Sequence, residues 1–123
     1  MIIKIKKNSI LLIKNYKFKC AIGKNGFKKD KKEGDMSTPI GIYQIGKLYY
    51  RPDKIKKIKT ELKKKKIKKN MGWCNDPKST KYNKEIRVSK KLKYEKLYRV
   101  DYKYNALIEI KYNIRPAVPF KGS

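Results

Sequence analysis

Few residues in this chain have the type and spacing to do chemistry. Two cysteines, Cys20 and Cys74, lie far apart, and no histidine occurs among the 123 residues. A thiol becomes a nucleophile only as the thiolate, which needs a nearby base or cation. Without imidazole, every His-based triad, HExxH zinc site and imidazole base is excluded from the chain as given. There is no CxxC pair, and two lone cysteines do not make a zinc set. No cofactor and no metal is expected. No apolar stretch of signal-peptide length is seen, so two reduced thiols are expected rather than a disulfide. Glu33 and Asp35 are close enough for paired acid–base work, which requires burial to split their pKa values. They sit in a glycine-containing polar loop behind Lys31 and Lys32 and read better as ionised turn residues. Asp35 and Thr38 can each accept a hydrogen bond from nearby backbone N–H groups. Gly23-Lys24-Asn25-Gly26 lacks the Gly-Lys-Ser/Thr ending of a phosphate loop and opens no helix.

The elements that must position these residues read mainly as β. Ile3 and Ile5 alternate with Lys4 and Lys6, Lys7-Asn8-Ser9 is a turn, and Ile10–Ile13 is a short apolar strand. Tyr16, Phe18, Cys20 and Ile22 then share one face of an alternating strand, which makes Cys20 an inward core residue. Pro39 leads into a strand over 40–46. Residues 53–69 are ambiguous. Ile55, Ile58 and Leu62 are helically spaced, but ten of the sixteen residues from 54 to 69 are lysine, and like charges at i,i+4 oppose a helix. That region is expected as a solvated, partly extended excursion, with Ile67 off the apolar stripe. Residues 72–77 read as a turn carrying the single tryptophan, Trp73, with Cys74 structural at most. A short helix fits 89–95. Tyr98, Val100, Tyr102 and Tyr104 alternate with polar residues. Asn105 marks a tight turn, and Ala106, Ile108, Ile110, Tyr112 and Ile114 alternate again. The pattern predicts a hairpin with those residues buried.

Lysine and arginine total 36 against 10 acidic residues, a formal charge of +26. Such a surplus suits anionic partners through counterion release. Only Arg51, Arg87, Arg99 and Arg115 are arginine, however, and nucleic-acid readers lean on arginine for bidentate contacts. Lysine, isoleucine, asparagine and tyrosine all use A/T-rich codons, so coding bias accounts for the charge better. A small basic nucleic-acid-binding protein, ribosome-associated for example, is the alternative. Non-specific anion contact through lysine-rich 54–69 is open to either. No apolar run is long enough for a membrane span.

Taken in order, the motifs resemble a known family. Gly23-Lys24-Asn25-Gly26, Lys32-Glu33-Gly34-Asp35 and Thr38-Pro39-Ile40-Gly41 resemble the start of the L,D-transpeptidase (YkuD-like) catalytic domain. Gly72-Trp73-Cys74-Asn75-Asp76-Pro77 and Tyr82-Asn83 resemble its middle landmarks, with Asn75 in place of a common Asp. Ile110-Lys111-Tyr112-Asn113 and Pro119-Phe120-Lys121-Gly122-Ser123 resemble its late strand and the Gly-Ser ahead of the catalytic segment. The resemblance implies a mainly β, mixed-sheet sandwich, incomplete at the C-terminus, over a single truncated domain at 1–123. It implies acyl transfer between peptidoglycan stem peptides in the cell envelope. A Cys thiolate attacks the carbonyl, terminal D-alanine leaves, and an amine of a second stem resolves the thioester. The family's His and Ser/Thr-x-Gly-Cys motif have no counterpart here, so no catalytic residue carries over, and the chain alone is expected to be inactive. Gly34, Asp35, Thr38, Pro39 and Gly41, with Trp73, Asp76, Tyr82 and Asn83, carry over as scaffold or substrate-cleft candidates. Gly41 is expected to admit a close backbone approach, and Asp76-Pro77 to fix a corner.

Overall fold

A computed structural model describes residues 1–123 as strands and turns without a helix. The chain divides into two compact units, residues 1–41 and 42–123. No helix is long and apolar enough to cross a membrane.

In the first unit, β1 (Ile3–Lys6), β2 (Ile10–Ile13) and β3 (Tyr16–Lys19) form an antiparallel meander with β2 in the centre. Ser9 and Lys14 take positive φ (59° and 49°), which lets the connections turn within two or three residues. The register sets Ile3 opposite Ile13 and Leu11 opposite both Ile5 and Phe18, so the apolar residues collect on one face as their alternation predicts. Burial does not follow for β3. Tyr16 and Phe18 stack on each other, with ring centroids 6.2 Å apart, and both stay exposed. Cys20 is half-buried just past the strand end, not a core residue. A parallel pair, β4 (Phe27–Lys28) and β5 (Thr38–Pro39), closes the loop between them.

The second unit holds two three-stranded sheets. In one, β6 (Ile45–Tyr50) lies between β7 (Lys64–Lys66), parallel to it, and β11 (Ala106–Ile110), antiparallel, so the sheet is mixed. In the other, β8 (Met71–Cys74) lies between β9 (Glu85–Arg87) and β10 (Tyr94–Lys96), both antiparallel. Tyr49, Ile67, Met71 and Leu97 form the buried core, with Trp73, Tyr98, Tyr104 and Leu107 packed against it. Both sheets contribute to this cluster. The Tyr49 and Trp73 rings meet edge to face, 6.3 Å apart at 89°.

Four expected elements are corrected. The strand after Pro39 does not begin until Ile45, and residues 40–44 are irregular. Residues 72–74 lie inside β8, so the tryptophan sits on a strand and the turn comes after Cys74. The 89–95 segment is a turn leading into β10, with no helix. The 98–114 hairpin is absent. Residues 98–105 form no strand, and β11 pairs with β6 instead.

Arginine chemistry explains the last difference. The buried Arg51 guanidinium grips Asp53 with two bonds, at 2.8 and 2.6 Å, and lies over the Tyr98 ring, 3.5 Å from its centroid. It also donates to the Arg99 carbonyl, while the Arg51 backbone N–H donates to Asn105 O at 2.9 Å. Arg99 in turn pairs with Asp101, whose carboxylate also accepts from the Lys103 N–H. These bonds hold 98–105 as a looped strap, and Val100 and Tyr102 project into solvent. The burial parity of β11 is also the reverse of the expected one. Leu107 lies opposite Tyr49 and faces the core, while Ala106, Ile108 and Ile110 are exposed. Ile67, off the predicted stripe, is core at 2% exposure.

Candidate functional site

The candidates fall into two groups. The first is the loop between β4 and β5 with the turn at 23–26. Asp35 organises it. Its carboxylate accepts from the backbone N–H groups of Lys32 (2.8 Å) and Ser37 (3.0 Å), from Ser37 Oγ (2.6 Å) and from Lys31 Nζ (3.2 Å). These donors favour the ionised form and hold its pKa well below the usual carboxylate range, the Lys32 N–H foremost. A carboxylate so saturated is a loop anchor and a poor proton acceptor. Gly34, exposed at φ 76°, supplies the left-handed residue that turns the chain into this anchor.

Thr38 has the backbone-bonding role its type suggests, since its Oγ1 accepts from the Gly23 N–H at 2.7 Å. Asn25 completes the tie by donating to the Met36 carbonyl through its N–H (3.0 Å) and to the Asp35 carbonyl through Nδ2 (2.9 Å). The close backbone approach lies at Gly23. A Cβ there would come within 2.5 Å of Met36 O and 2.6 Å of the Ser37 backbone. Pro39 is half-buried in β5 and Gly41 is exposed.

The second group builds on β8. After Cys74, Asp76 folds the chain back. Its Oδ1 accepts from the Lys78 N–H (3.1 Å) and its carbonyl from the Ser79 N–H (3.0 Å). Asp76-Pro77 thus fixes a corner, as its type predicts. Tyr82 N–H donates to Ser79 O, and Asn83 N–H returns to Cys74 O at 2.9 Å. Cys74 is fully buried behind this turn.

Asn83 is the hub. It is 5% exposed and takes φ 56°, a left-handed conformation that asparagine tolerates better than most residues. Its Oδ1 accepts from the Trp73 indole N–H at 2.9 Å, and its Nδ2 donates to the carbonyls of Tyr112 (2.9 Å) and Asn113 (2.7 Å). Beside it, Tyr82 Oη accepts from the N–H of buried Gly122 at 2.8 Å.

Asn113 repeats the device at φ 50°. Its Nδ2 reaches the carbonyls of Val118 (3.0 Å) and Gly122 (2.9 Å), and its Oδ1 accepts from the Val118 N–H (2.8 Å). Tyr112 Oη donates to Lys121 O at 2.6 Å, and its ring meets Tyr43 edge on. The segment 112–122 is therefore held by two Tyr-Asn dipeptides. Sequence reading named the first pair but placed Tyr112 and Asn113 in the late strand, which ends at Ile110; the repeated Tyr-Asn was the available signal, although Tyr104-Asn105 carries it too without joining the lock. Asn25, Ser37 and Arg51 were also passed over, each needing a partner distant in sequence or a backbone shape that composition does not reveal.

Chemically, most polar side-chain atoms within each group bond neighbouring main chain or side chains of the same group. Neither cysteine forms a disulfide, and no cluster of three or more Cys, Asp or Glu side chains that could hold a metal comes together. The arrangement positions backbone. The all-strand fold is that of a β-rich L,D-transpeptidase-type protein. A model of the L,D-transpeptidase catalytic domain (YkuD) matches residues 2–120, and the chain belongs to that family. No curated protein and no solved structure gives a significant match.

Proposed function

We propose that residues 1–123 act as one domain, the scaffold of an L,D-transpeptidase acting on peptidoglycan stem peptides. The observation that carries this reading is the family match over residues 2–120. The double Tyr-Asn lock adds to it, because it fixes the path of the backbone up to Gly122. The reaction of the family needs a thiolate, a base to make it and donors for the oxyanion. These 123 residues contain no histidine, and Cys74 is inaccessible. Asp35, Thr38, Trp73, Asp76, Tyr82 and Asn83 serve the scaffold, since each makes at least one side-chain hydrogen bond within the protein. Gly34, Pro39 and Gly41 are the remaining candidates for lining a donor-peptide cleft.

The test has two parts. The purified 123-residue chain is incubated with a stem tetrapeptide and an acceptor amine, and free D-alanine is measured. None is expected, and release would overturn the inactivity. The same chain is then fused at Ser123 to a family segment bearing the His and the Ser/Thr-x-Gly-Cys motif. Release of D-alanine is expected, and Cys→Ala in the added segment should abolish it. A folded fusion without release would overturn the scaffold reading.

A further inference from the structure

The chain between β6 and β7 borders an open cavity of ≈ 370 Å³ lined by Tyr50, Lys56, Lys57, Ile58, Lys59 and Lys64. Four of the six lining side chains are lysines and none is acidic. The ion pairs of the molecule lie elsewhere: Lys31–Asp35, Arg51–Asp53, Lys65–Glu85 and Arg99–Asp101. None uses a cavity lysine, so four lysines border one concavity with no carboxylate ion-paired to any of them. Lys64 Nζ lies 3.5 Å from the Ile58 carbonyl, which ties the strand to the returning loop. A concave surface of one sign focuses its potential on the space it encloses. Exposed Lys63, Lys66, Lys68 and Lys69 extend the same field along the chain.

We propose that this cavity binds a flexible linear phosphodiester polymer that carries no bases. Lysine binds phosphate as a point charge and tolerates a mobile partner, whereas a ligand of fixed shape calls for buried, oriented donors. All four cavity lysines are exposed. Nucleic acid is disfavoured by the lining itself. It has no arginine for bidentate contacts, and its one aromatic, Tyr50, is half-buried and offers no series of stacking faces. The inference is independent of the proposed enzymatic role.

Poly(glycerol phosphate) is the probe, titrated into the full chain at several salt concentrations. The variant K56A/K57A/K59A/K64A is compared with K4A/K17A/K19A/K29A, which removes the same charge from exposed positions in the first unit. Melting curves establish that both are folded. The cavity variant should bind about tenfold or more weakly, with the log–log salt slope reduced by about 3, while the control loses little. Equal losses in the two variants would reduce the effect to bulk charge and overturn the proposal. So would tighter binding of oligouridylate or polyglutamate than of the probe, with the same dependence on the four lysines. If the cavity variant fails to fold, the pairs K56A/K57A and K59A/K64A replace it, each expected to lose about half of the slope change.

Discussion

Asn83 combines a left-handed backbone with three side-chain hydrogen bonds, and substitution separates the two. Asn83→Ala leaves the Trp73 N–H and the carbonyls of Tyr112 and Asn113 without their partner and forces a Cβ-bearing residue without local compensation into positive φ. We expect a loss of about 2–4 kcal/mol in urea unfolding, from unsatisfied buried groups and backbone strain together. Asn83→Gly forfeits the same bonds but relieves the backbone, so it should be milder by about 1 kcal/mol. Equal losses would mean that the backbone contributes nothing. Gly23 offers a second contrast. At Gly23→Ala the new methyl meets the backbone of Met36 and Ser37, which cannot swing aside, and about 1–3 kcal/mol of stability should be lost. At Gly46→Ala it meets the end of the Glu109 side chain, which can move, so that variant should be better tolerated.

The strands differ in how far their sequences reveal them. β1 and β2 were legible because short alternating runs sit between turn residues, and the Asp35 loop was legible because an aspartate beside glycine and ahead of Ser-Thr has obvious backbone donors. The 98–114 region misled because alternation reports a period and not a partner. Tyr98 alternates as a strand residue would, yet it is claimed by the Arg51 guanidinium, and β11 is claimed by β6. Parity then failed because Leu107 and Ile108 are equally apolar, and only the pairing with Tyr49 decides which one faces the core. Ile67 escaped because a helical template was applied to an extended segment. The corrected parity has a direct check. Leu107→Ala should cost about 2 kcal/mol, while Ile108→Thr should stay within about 0.5 kcal/mol of the parent. The opposite order in denaturant melts would restore the expected face.

For the molecule as a whole, the titrating contacts lie at the two ends of the pH range. Asp35, Asp53 and Asp101 have lowered pKa values, Asp101 to about 2, caused first by hydrogen bonds from the Lys32 N–H, Arg51 and Arg99 respectively. Their stabilisation is complete above the unfolded value near 3.8 and is lost as pH falls through the folded values. Tyr49 and Tyr104 are raised, first by burial and then by donating to Glu85 and Glu95. Their contribution is present below about pH 10 and is lost as pH rises beyond it. With no histidine in between, the melting temperature should be nearly flat from about pH 5 to 8 and fall on both sides. A step within that window in thermal melts would contradict the assignment.

The lock on 112–122 bears on which substitutions the chain can accept. Its bonds end on the main-chain atoms of Tyr112, Asn113, Val118, Lys121 and Gly122, and no residue from 114 to 121 contributes a side chain to them. Shape here is written in the grip and not in the thing gripped. Saturation mutagenesis should find Val118 and Lys121 permissive while Tyr82, Asn83, Tyr112 and Asn113 resist change, so sequence could drift quickly through this stretch while its course stays fixed.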